Sequence, residues 1–216
     1  MTGIGWVALA AVAGLASSGV LSGILGWPRE AFVAGHLVVV ALVWAAYARQ
    51  AGTALGTQLR RRWAGGLVAG SAASAFLVRN VLAQPASAAP DGLALAGSLA
   101  WLGVAYGAAD ALLLTILPVL ALYGSRPPES LRRPGPRLGW ALLALAGSLA
   151  VTAAYHLGFP EFRGAALFAP LVGNAIMTLA YLASGSMLAP LGAHVVMHGA
   201  AVLHGIETTV QLPPHP

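Results

Sequence analysis

The sequence has no cysteine, no lysine and few charged residues of any kind. The missing cysteine excludes disulfide bonds, thiolate metal sites and a cysteine nucleophile. Only 8% of the 216 residues are charged, whereas 58% are hydrophobic and the mean hydropathy is +0.80. A soluble domain typically devotes about 25% of its residues to charged side chains. The composition therefore predicts an integral membrane protein without a soluble domain, which we expect in the inner (cell) membrane of a bacterium.

Seven hydrophobic runs follow one another along the chain, and each is near or above the ~20 residues that cross a bilayer. They predict an all-α fold, a polytopic bundle of about seven transmembrane helices that forms one integral membrane domain over residues 1–216. The fourth run is long for a single crossing and predicts a tilted helix, or one broken near Gly103 or Gly107. The predicted spans are residues 3–27, 31–47, 64–82, 93–123, 138–157, 164–183 and 188–206.

The positive charge comes entirely from 11 arginines, which outnumber the 6 acidic residues. Most of them lie in two loops, one between the second and third runs and one between the fourth and fifth. Arginine-rich loops of membrane proteins face the cytoplasm. Two crossings separate the loops, so this topology is consistent and predicts a cytoplasmic amino terminus. The expected partners are membrane lipids and not nucleic acid. The loop arginines are Arg49, Arg60, Arg61, Arg62, Arg126, Arg132, Arg133 and Arg137.

The last apolar run carries histidines, which are rare in membrane helices and usually have a structural or functional role there. Ionisable side chains in hydrocarbon usually face a bundle interior, a partner or a water-filled pathway. His194 and His198 are four residues apart, so they share one helix face and can converge on one ion or substrate. His36 and His204 are interpreted instead as satisfied or interfacial histidines.

Asp110 and His156 lie in two further predicted helices. Asp110 is surrounded by alanine and leucine. Three interpretations of Asp110 are open, namely a counter-charge for Arg79, a metal ligand and a general base. His156 lies near the outer end of its helix, whereas Asp110 and His194 lie deeper. A site shared by all of them needs a tilted fifth helix or a broken fourth one.

Two segments in the second half of the chain carry histidines in a recurring arrangement. One predicted helix ends at the turn Ser184-Gly185-Ser186-Met187, and the next begins with small residues and carries His194-xxx-His198. Two helices earlier, His156 follows Thr152 by four residues. In order and helix spacing these segments resemble the last two motifs of the CPBP (CAAX-protease and bacteriocin-processing, or Abi) family of intramembrane proteases. Those motifs are an aromatic residue with a histidine four positions later, and His-xxx-Asn.

The family's first motif is a Glu-Glu pair followed by three residues and an arginine, and it has a counterpart one helix earlier. Asp110 stands at the first glutamate position, Ala111 at the second and Thr115 at the arginine position. In the other two motifs, Thr152 replaces the aromatic residue and His198 replaces the asparagine. The resemblance covers about half of the chain and implies a CPBP-like core at residues 92–207.

The resemblance implies an intramembrane peptidase or a related hydrolase, a possible metal-dependent endopeptidase, acting on a membrane-associated peptide or protein. Its implied catalytic residues are Asp110, His156, His194 and His198, which activate a water molecule that attacks a carbonyl group. Three imidazoles and a carboxylate also suit Zn²⁺ or another divalent metal, so the same four residues are the candidate metal ligands. The general base is then Asp110, or His156 if Asp110 binds the metal.

Two other functions remain open at the level of sequence. Loss of the second glutamate and the arginine is consistent with a catalytically inactive family member that serves as a membrane interaction protein. A haem or metal-binding membrane protein would ligate iron through histidines of different helices, for example His36 with His156 or His198.

Overall fold

The computed structural model describes residues 1–52, 55–60, 62–124 and 133–213, and within these ranges the chain forms eight helices. Arg61, Arg126 and Arg132 of the two basic loops lie outside the described residues. The helices are α1 (Gly3–Ile24), α2 (Arg29–Ala51), α3 (Leu55–Arg60), α4 (Trp63–Leu82), α5 (Gly92–Gly124), α6 (Pro134–Leu157), α7 (Gly164–Ser184) and α8 (Leu188–His204).

Six of these helices are long and apolar enough to cross a membrane, which confirms the predicted all-α fold and indicates an integral membrane protein. The six are α1, α2, α4, α5, α6 and α7. The seventh predicted span corresponds to α8, an apolar helix of 17 residues. At ~1.5 Å per residue its length approaches the ~30 Å of a hydrocarbon core. A shorter helix can cross when its neighbours and the local bilayer adjust to it.

Contacts between helix termini define two ends of the bundle. At one end the Gln50 side-chain amide donates a 3.0 Å hydrogen bond to the Met1 carbonyl oxygen, and Gly3 packs on the backbone of Ala121. We call this the arginine end, because α2, α3 and α5 end there beside the two basic loops. At the opposite end the Ser87 backbone N–H donates to the carbonyl oxygen of His204. The long helices therefore alternate in direction, as the loop charges predict.

The helix α8 lies alongside α4 from one end to the other. A Cβ at Gly70 would lie only 3.0 Å from the carbonyl oxygen of Ala189. At the opposite end, His204 Nε2 donates to the carbonyl oxygen of Gln84 at 2.8 Å. Small residues let the backbones of membrane helices approach this closely. The short helix is thereby held across the same depth as its longer neighbour.

The helix α5 is the central element of the bundle. Its most apolar window is 78% buried, whereas the windows of the other five candidate spans are 22–39% buried. The helix is continuous over 33 residues, so the break considered near Gly103 or Gly107 does not occur. Wide π-helical turns at Leu99–Tyr106 and Ala111–Ile116 instead flank the segment that carries Asp110. Such turns are frequent at functional sites.

The two glycines of α5 serve close packing against α8. A Cβ at Gly103 would lie 3.2 Å from the Cα of Gly199, and one at Gly107 would lie 3.1 Å from the carbonyl oxygen of His194. Both contacts are tighter than ordinary van der Waals packing, so any larger residue would push the helices apart. The glycines thus bring the α8 histidines close to Asp110.

The topology predicts which exposed positions are reached from each side of the membrane. Because the chain has no cysteine, single cysteines introduced at Thr57 and Ala89 report without background. Both positions are exposed, Thr57 at the arginine end and Ala89 between α4 and α5 at the opposite end. We expect a membrane-impermeant maleimide to label Ala89→Cys in spheroplasts and Thr57→Cys only after permeabilisation. The reverse pattern would contradict the assigned orientation.

Candidate metal centre

Asp110, His194 and His198 lie together where α5 meets α8. Each offers one ligand atom, and these atoms all lie within 4.8 Å of one another. The side chains are enclosed, with exposed fractions of 4%, 2% and 1% for the three residues. Asp110 Oδ2 is 3.4 Å from His198 Nε2. Two ligands of a tetrahedral ion with bonds of ~2.0–2.1 Å are roughly 3.3–3.4 Å apart, so this pair already has the spacing of ligands to a shared ion.

Buried polar atoms without a hydrogen-bond partner concentrate at the same place. In the described part of the chain seven buried side-chain nitrogen or oxygen atoms have no hydrogen bond of good geometry, and five of them belong to this cluster, where the nearest approaches are 3.3 Å between His36 and Asp110 and 3.4 Å between His198 and Asp110. The five are His36 Nε2, Asp110 Oδ1, His194 Nδ1, His198 Nδ1 and His198 Nε2. An unsatisfied buried polar group costs about 1–3 kcal/mol. Imidazole nitrogens and carboxylate oxygens are donors that Zn²⁺ accepts, so the residues present fit a divalent ion.

A hydrogen-bond network on the arginine side of the site orients His194. The Thr115 hydroxyl donates its proton to Asn174 Oδ1 at 2.5 Å. Thr115 Oγ1 therefore acts as the acceptor for His194 Nε2 at 3.4 Å. The proton of the neutral imidazole therefore lies on Nε2, which leaves Nδ1 free to bind an ion. Such outer partners commonly fix the tautomer of a metal-binding histidine. Thr115 thus acts on a site residue.

The network continues into α6 and α7 and ties the site to three helices. The Asn174 amide donates to Ser148 Oγ at 2.8 Å, and the Ser148 hydroxyl donates to the Leu114 carbonyl oxygen at 2.7 Å. All these side chains are buried, with Ser148 and Thr115 at 0% exposure. Buried polar networks that are well satisfied rigidify a core. The position of His194 is therefore set by the bundle as a whole.

The site forms one side of a cavity of about 680 Å³ that extends towards the opposite end of the bundle. Most of its lining is apolar and comes from α4, α5, α6, α7 and α8. Phe76 of α4 and Phe168 and Val172 of α7 line the cavity yet are 48%, 70% and 52% exposed. The cavity wall therefore extends to apolar side chains on the outer surface of α4 and α7.

The chain after α8 folds back and lines the opposite end of this cavity. Leu212 is 3% exposed and lines the cavity. Arg29 Nε donates to the Pro213 carbonyl oxygen at 3.1 Å, and the Gln84 side chain accepts from the Val210 backbone N–H at 2.9 Å. Nothing in the sequence of this short polar tail indicates such a position.

His156 lines the cavity but lies outside the group of three ligands. Its Nδ1 is 2.9 Å from the Thr152 carbonyl oxygen. Because a carbonyl oxygen only accepts, the ring proton lies on Nδ1 and Nε2 is left unprotonated in the neutral imidazole. The sequence predicted that His156 lies nearer the outer side of the membrane than Asp110 and His194. In the structure all three side chains line the same extended cavity. Three of the four predicted metal ligands are thus brought together, and the fourth faces the same space.

His36 of α2 lies at the site, where the sequence analysis placed it only as a possible iron ligand and otherwise interpreted it as a satisfied or interfacial histidine. It is fully buried, and its Nε2 lies 3.3 Å from Asp110 Oδ1. A single histidine in an apolar run has no spacing signal that would connect it with an aspartate 74 positions later. The interpretation of Asp110 as a counter-charge for Arg79 is wrong, because its side-chain oxygens lie against His36 and His198 while Arg79 is exposed.

The geometry argues against haem ligation by His36 and His198. A bis-histidine haem needs two imidazoles that face one another across a porphyrin. Here the Asp110 carboxylate lies between the two rings, 3.3 Å from one nitrogen and 3.4 Å from the other. A flat macrocycle does not fit into that space. A single ion beside the carboxylate does.

Gly107 provides a test of the ligand geometry that leaves the ligands unchanged. In Gly107→Ala the added Cβ would lie 3.1 Å from the His194 carbonyl oxygen and 3.1 Å from His198 Cδ2. Such overpacking typically costs about 1–3 kcal/mol. We expect it to displace α8 and to weaken Zn²⁺ binding roughly 10-fold or more, measured by competition with a chromophoric chelator. The control is Gly97→Ala in the same helix, where nothing lies within 4 Å. Equal affinities for the two variants would contradict the site.

A scan against protein-family models finds no match for this chain, and searches of curated proteins and of solved structures find none either. The chain itself shows a helical membrane protein in which one aspartate and two histidines, from two helices, can hold a metal ion. These three residues and the cavity beside them are the basis for a function.

Proposed function

We propose that the protein is a divergent CPBP-like intramembrane peptidase that uses a divalent metal ion, with Zn²⁺ the best fit to its ligands. One observation carries the proposal. The histidines and the aspartate of the three motif positions, which lie up to 88 residues apart in sequence, all line one cavity within the bundle. These residues are Asp110, His156, His194 and His198. Nothing in the composition alone requires residues of all three motifs to line the same cavity.

The ligand set has the form of a catalytic metal site. Asp110, His194 and His198 supply one oxygen and two nitrogen donors. Catalytic zinc sites commonly use three protein ligands and keep the fourth position for water or substrate, whereas structural sites are closed. A divalent ion held here would polarise a substrate carbonyl group and make a water molecule more acidic. The open side of the cluster faces the cavity, where a substrate can enter.

His156 is the general base in this proposal. Its Nδ1–H is held by the Thr152 carbonyl oxygen, so Nε2 is the nitrogen available to take a proton. A general base must reach the attacking water in a plausible pose of the substrate, and His156 lies on the wall of the same cavity. Asp110 does not serve as the base here, because its two oxygens face His36 and His198.

The cavity supports a substrate that arrives through the membrane. Its wall reaches the outer surface at Phe76, Phe168 and Val172, all at least 48% exposed. An apolar border of this kind suits a membrane-embedded peptide segment, whose side chains are apolar and whose carbonyl groups can reach the polar wall. A water-soluble peptide would instead enter at a polar end, and there the tail lies against the cavity.

The proposal assigns separable roles to Asp110 and His156. In Asp110→Asn a ligand is lost, so we expect both metal binding and cleavage of a reconstituted transmembrane reporter peptide to be lost. In His156→Gln we expect metal affinity to stay within a few-fold while the rate falls roughly 10²–10⁴-fold, the usual contribution of a general base. The matched control is His204→Gln, since His204 bonds Gln84 at the opposite end and should affect neither measurement. A variant of His156 with the rate of the unmodified protein would contradict the assignment.

Substitution of His198 distinguishes a metal ligand from a side chain that donates a hydrogen bond to the oxyanion. His198→Asn restores the residue found at this position in the resembled family. If His198 binds the ion, as its 3.4 Å approach to Asp110 indicates, the substitution should weaken Zn²⁺ binding strongly, because an amide is a much poorer donor than imidazole. Metal content after dialysis measures this directly. Undiminished metal content with full peptidase activity would assign His198 to hydrogen bonding of the oxyanion instead. A metal-loaded protein with no activity on any membrane peptide would favour the inactive interaction protein.

A further inference from the structure

His36 is a histidine at the site that the proposed chemistry does not use. It comes from α2, a helix that carries none of the three motifs. Its side chain is fully buried, and among the described residues it is not part of the cavity wall. Its Nε2 approaches Asp110 Oδ1 at 3.3 Å, while His198 approaches the other oxygen, Oδ2. The Asp110 carboxylate is therefore held between two imidazoles, one on the cavity side and one on the enclosed side.

The hydrogen bonds of His36 define what it can do for Asp110. Ser17 Oγ of α1 lies 3.2 Å from His36 Nδ1. The Asp110 carboxylate oxygen can only accept, so a ring proton of His36 belongs on Nε2, towards Oδ1. The Ser17 hydroxyl donates to the Gly14 carbonyl oxygen at 2.9 Å, so Ser17 Oγ is held in place as a polar contact of the other ring nitrogen of His36. The orientation of the carboxylate is thus determined from α1 and α2.

Aromatic rings fix the plane of the His36 imidazole. Phe32 stacks on it with ring centroids 5.9 Å apart and an angle of 10° between the planes. Tyr106 and Tyr155 pack at 5.8 Å and 5.1 Å, and their hydroxyl groups bond each other at 2.8 Å. A ring enclosed in this way has little freedom to turn. It can hold Asp110 in one direction only.

The order Ser17–His36–Asp110 is also that of a serine hydrolase triad, but the geometry does not support that chemistry. Ser17 is 2% exposed and does not belong to the described wall of the cavity. Its hydroxyl also lies 2.9 Å from the Gly14 carbonyl oxygen of its own helix. A nucleophile must reach a substrate carbonyl group, and this hydroxyl faces only protein.

We infer that His36 is a positioning residue, which holds Asp110 Oδ1 so that Oδ2 faces His198 and the ion. The inference rests on the proposed metal function, because the role of His36 is to position Asp110, which is one of the proposed metal ligands. Such outer partners typically contribute 10–100-fold to metal affinity. A ligand histidine would contribute much more and would change the coordination of the ion.

The test compares Zn²⁺ affinity and the absorption spectrum of the Co²⁺-loaded full-length protein for five variants and the unmodified chain. We expect His36→Leu to weaken Zn²⁺ binding roughly 10–100-fold while the Co²⁺ bands keep their shape, because the ligands are unchanged. His36→Gln should recover most of the loss, since its amide can donate to Asp110 from nearly the same place. Asp110→Asn should abolish binding.

Ser17→Ala and Ser18→Ala form a matched pair that stays informative if His36→Leu does not fold. Both serines are buried and bond the Gly14 carbonyl oxygen at 2.9 Å, but of the two only Ser17 contacts His36. Ser17→Ala should weaken Zn²⁺ binding in the same direction as His36→Leu, by a smaller factor, and Ser18→Ala should not.

Three results would overturn the inference. Unchanged affinity in His36→Leu, or equal affinities of the two serine variants where the leucine variant does not fold, would remove the positioning role and leave the metal site intact. Altered Co²⁺ bands in His36→Leu together with complete loss of binding would make His36 a ligand. Absence of Zn²⁺ binding by the unmodified protein would remove the proposed function and, with it, any role of His36 towards an ion.

Discussion

The burial of the Asp110 carboxylate is the constraint on which the rest of this structure depends. A charged side chain at the centre of a membrane helix costs about 2.5–3.5 kcal/mol even on the lenient scale of insertion measurements. The bundle compensates by placing His36 of α2 and His198 of α8 against its two oxygens. The helix that carries the aspartate is accordingly the most enclosed of the candidate spans. The arrangement of α2, α5 and α8 is thus set by one carboxylate.

Close helix packing makes this compensation possible. Gly103 and Gly107 allow α8 to approach α5 so that backbone atoms would lie about 3.1–3.2 Å from any Cβ at those positions. On the arginine side, Thr115 and Asn174 connect His194 to α5 and α7. The ligands are therefore held by rigid helices and by second partners, which a metal site needs for well-defined geometry. The other side of the ligands faces the cavity, where a molecule can enter.

The sequence predicted the parts of this molecule that depend on local pattern. Hydrophobic runs of the right length predicted the helices, and the four-residue spacing of His194 and His198 predicted their common face. Asp110 was predicted to share a site with these histidines, and it lies opposite that face. Gly103 and Gly107 were harder to interpret, because a glycine in a long apolar run fits a break as well as a close helix contact. Only the position of α8 decides between the two.

Features that depend on tertiary proximity left no trace in the sequence. His36 joins the site because α2 packs against α5, and no spacing within α2 encodes that contact. The depth of His156 was read correctly from its span, but the cavity that connects it with Asp110 is a property of five helices together. The tail over the cavity is likewise held by side chains of α2 and α4, Arg29 and Gln84, which no local pattern links to it.

The most direct test of the central claim is X-ray absorption spectroscopy of the purified protein loaded with one equivalent of Zn²⁺. The account predicts an ion bound by two imidazoles, a carboxylate oxygen and one further light atom, with nitrogen and oxygen at ~2.0–2.2 Å. The multiple-scattering features of imidazole report the two histidines. A six-coordinate shell of water oxygens without imidazole, or failure to retain the ion, would contradict the claim that Asp110, His194 and His198 form a metal centre.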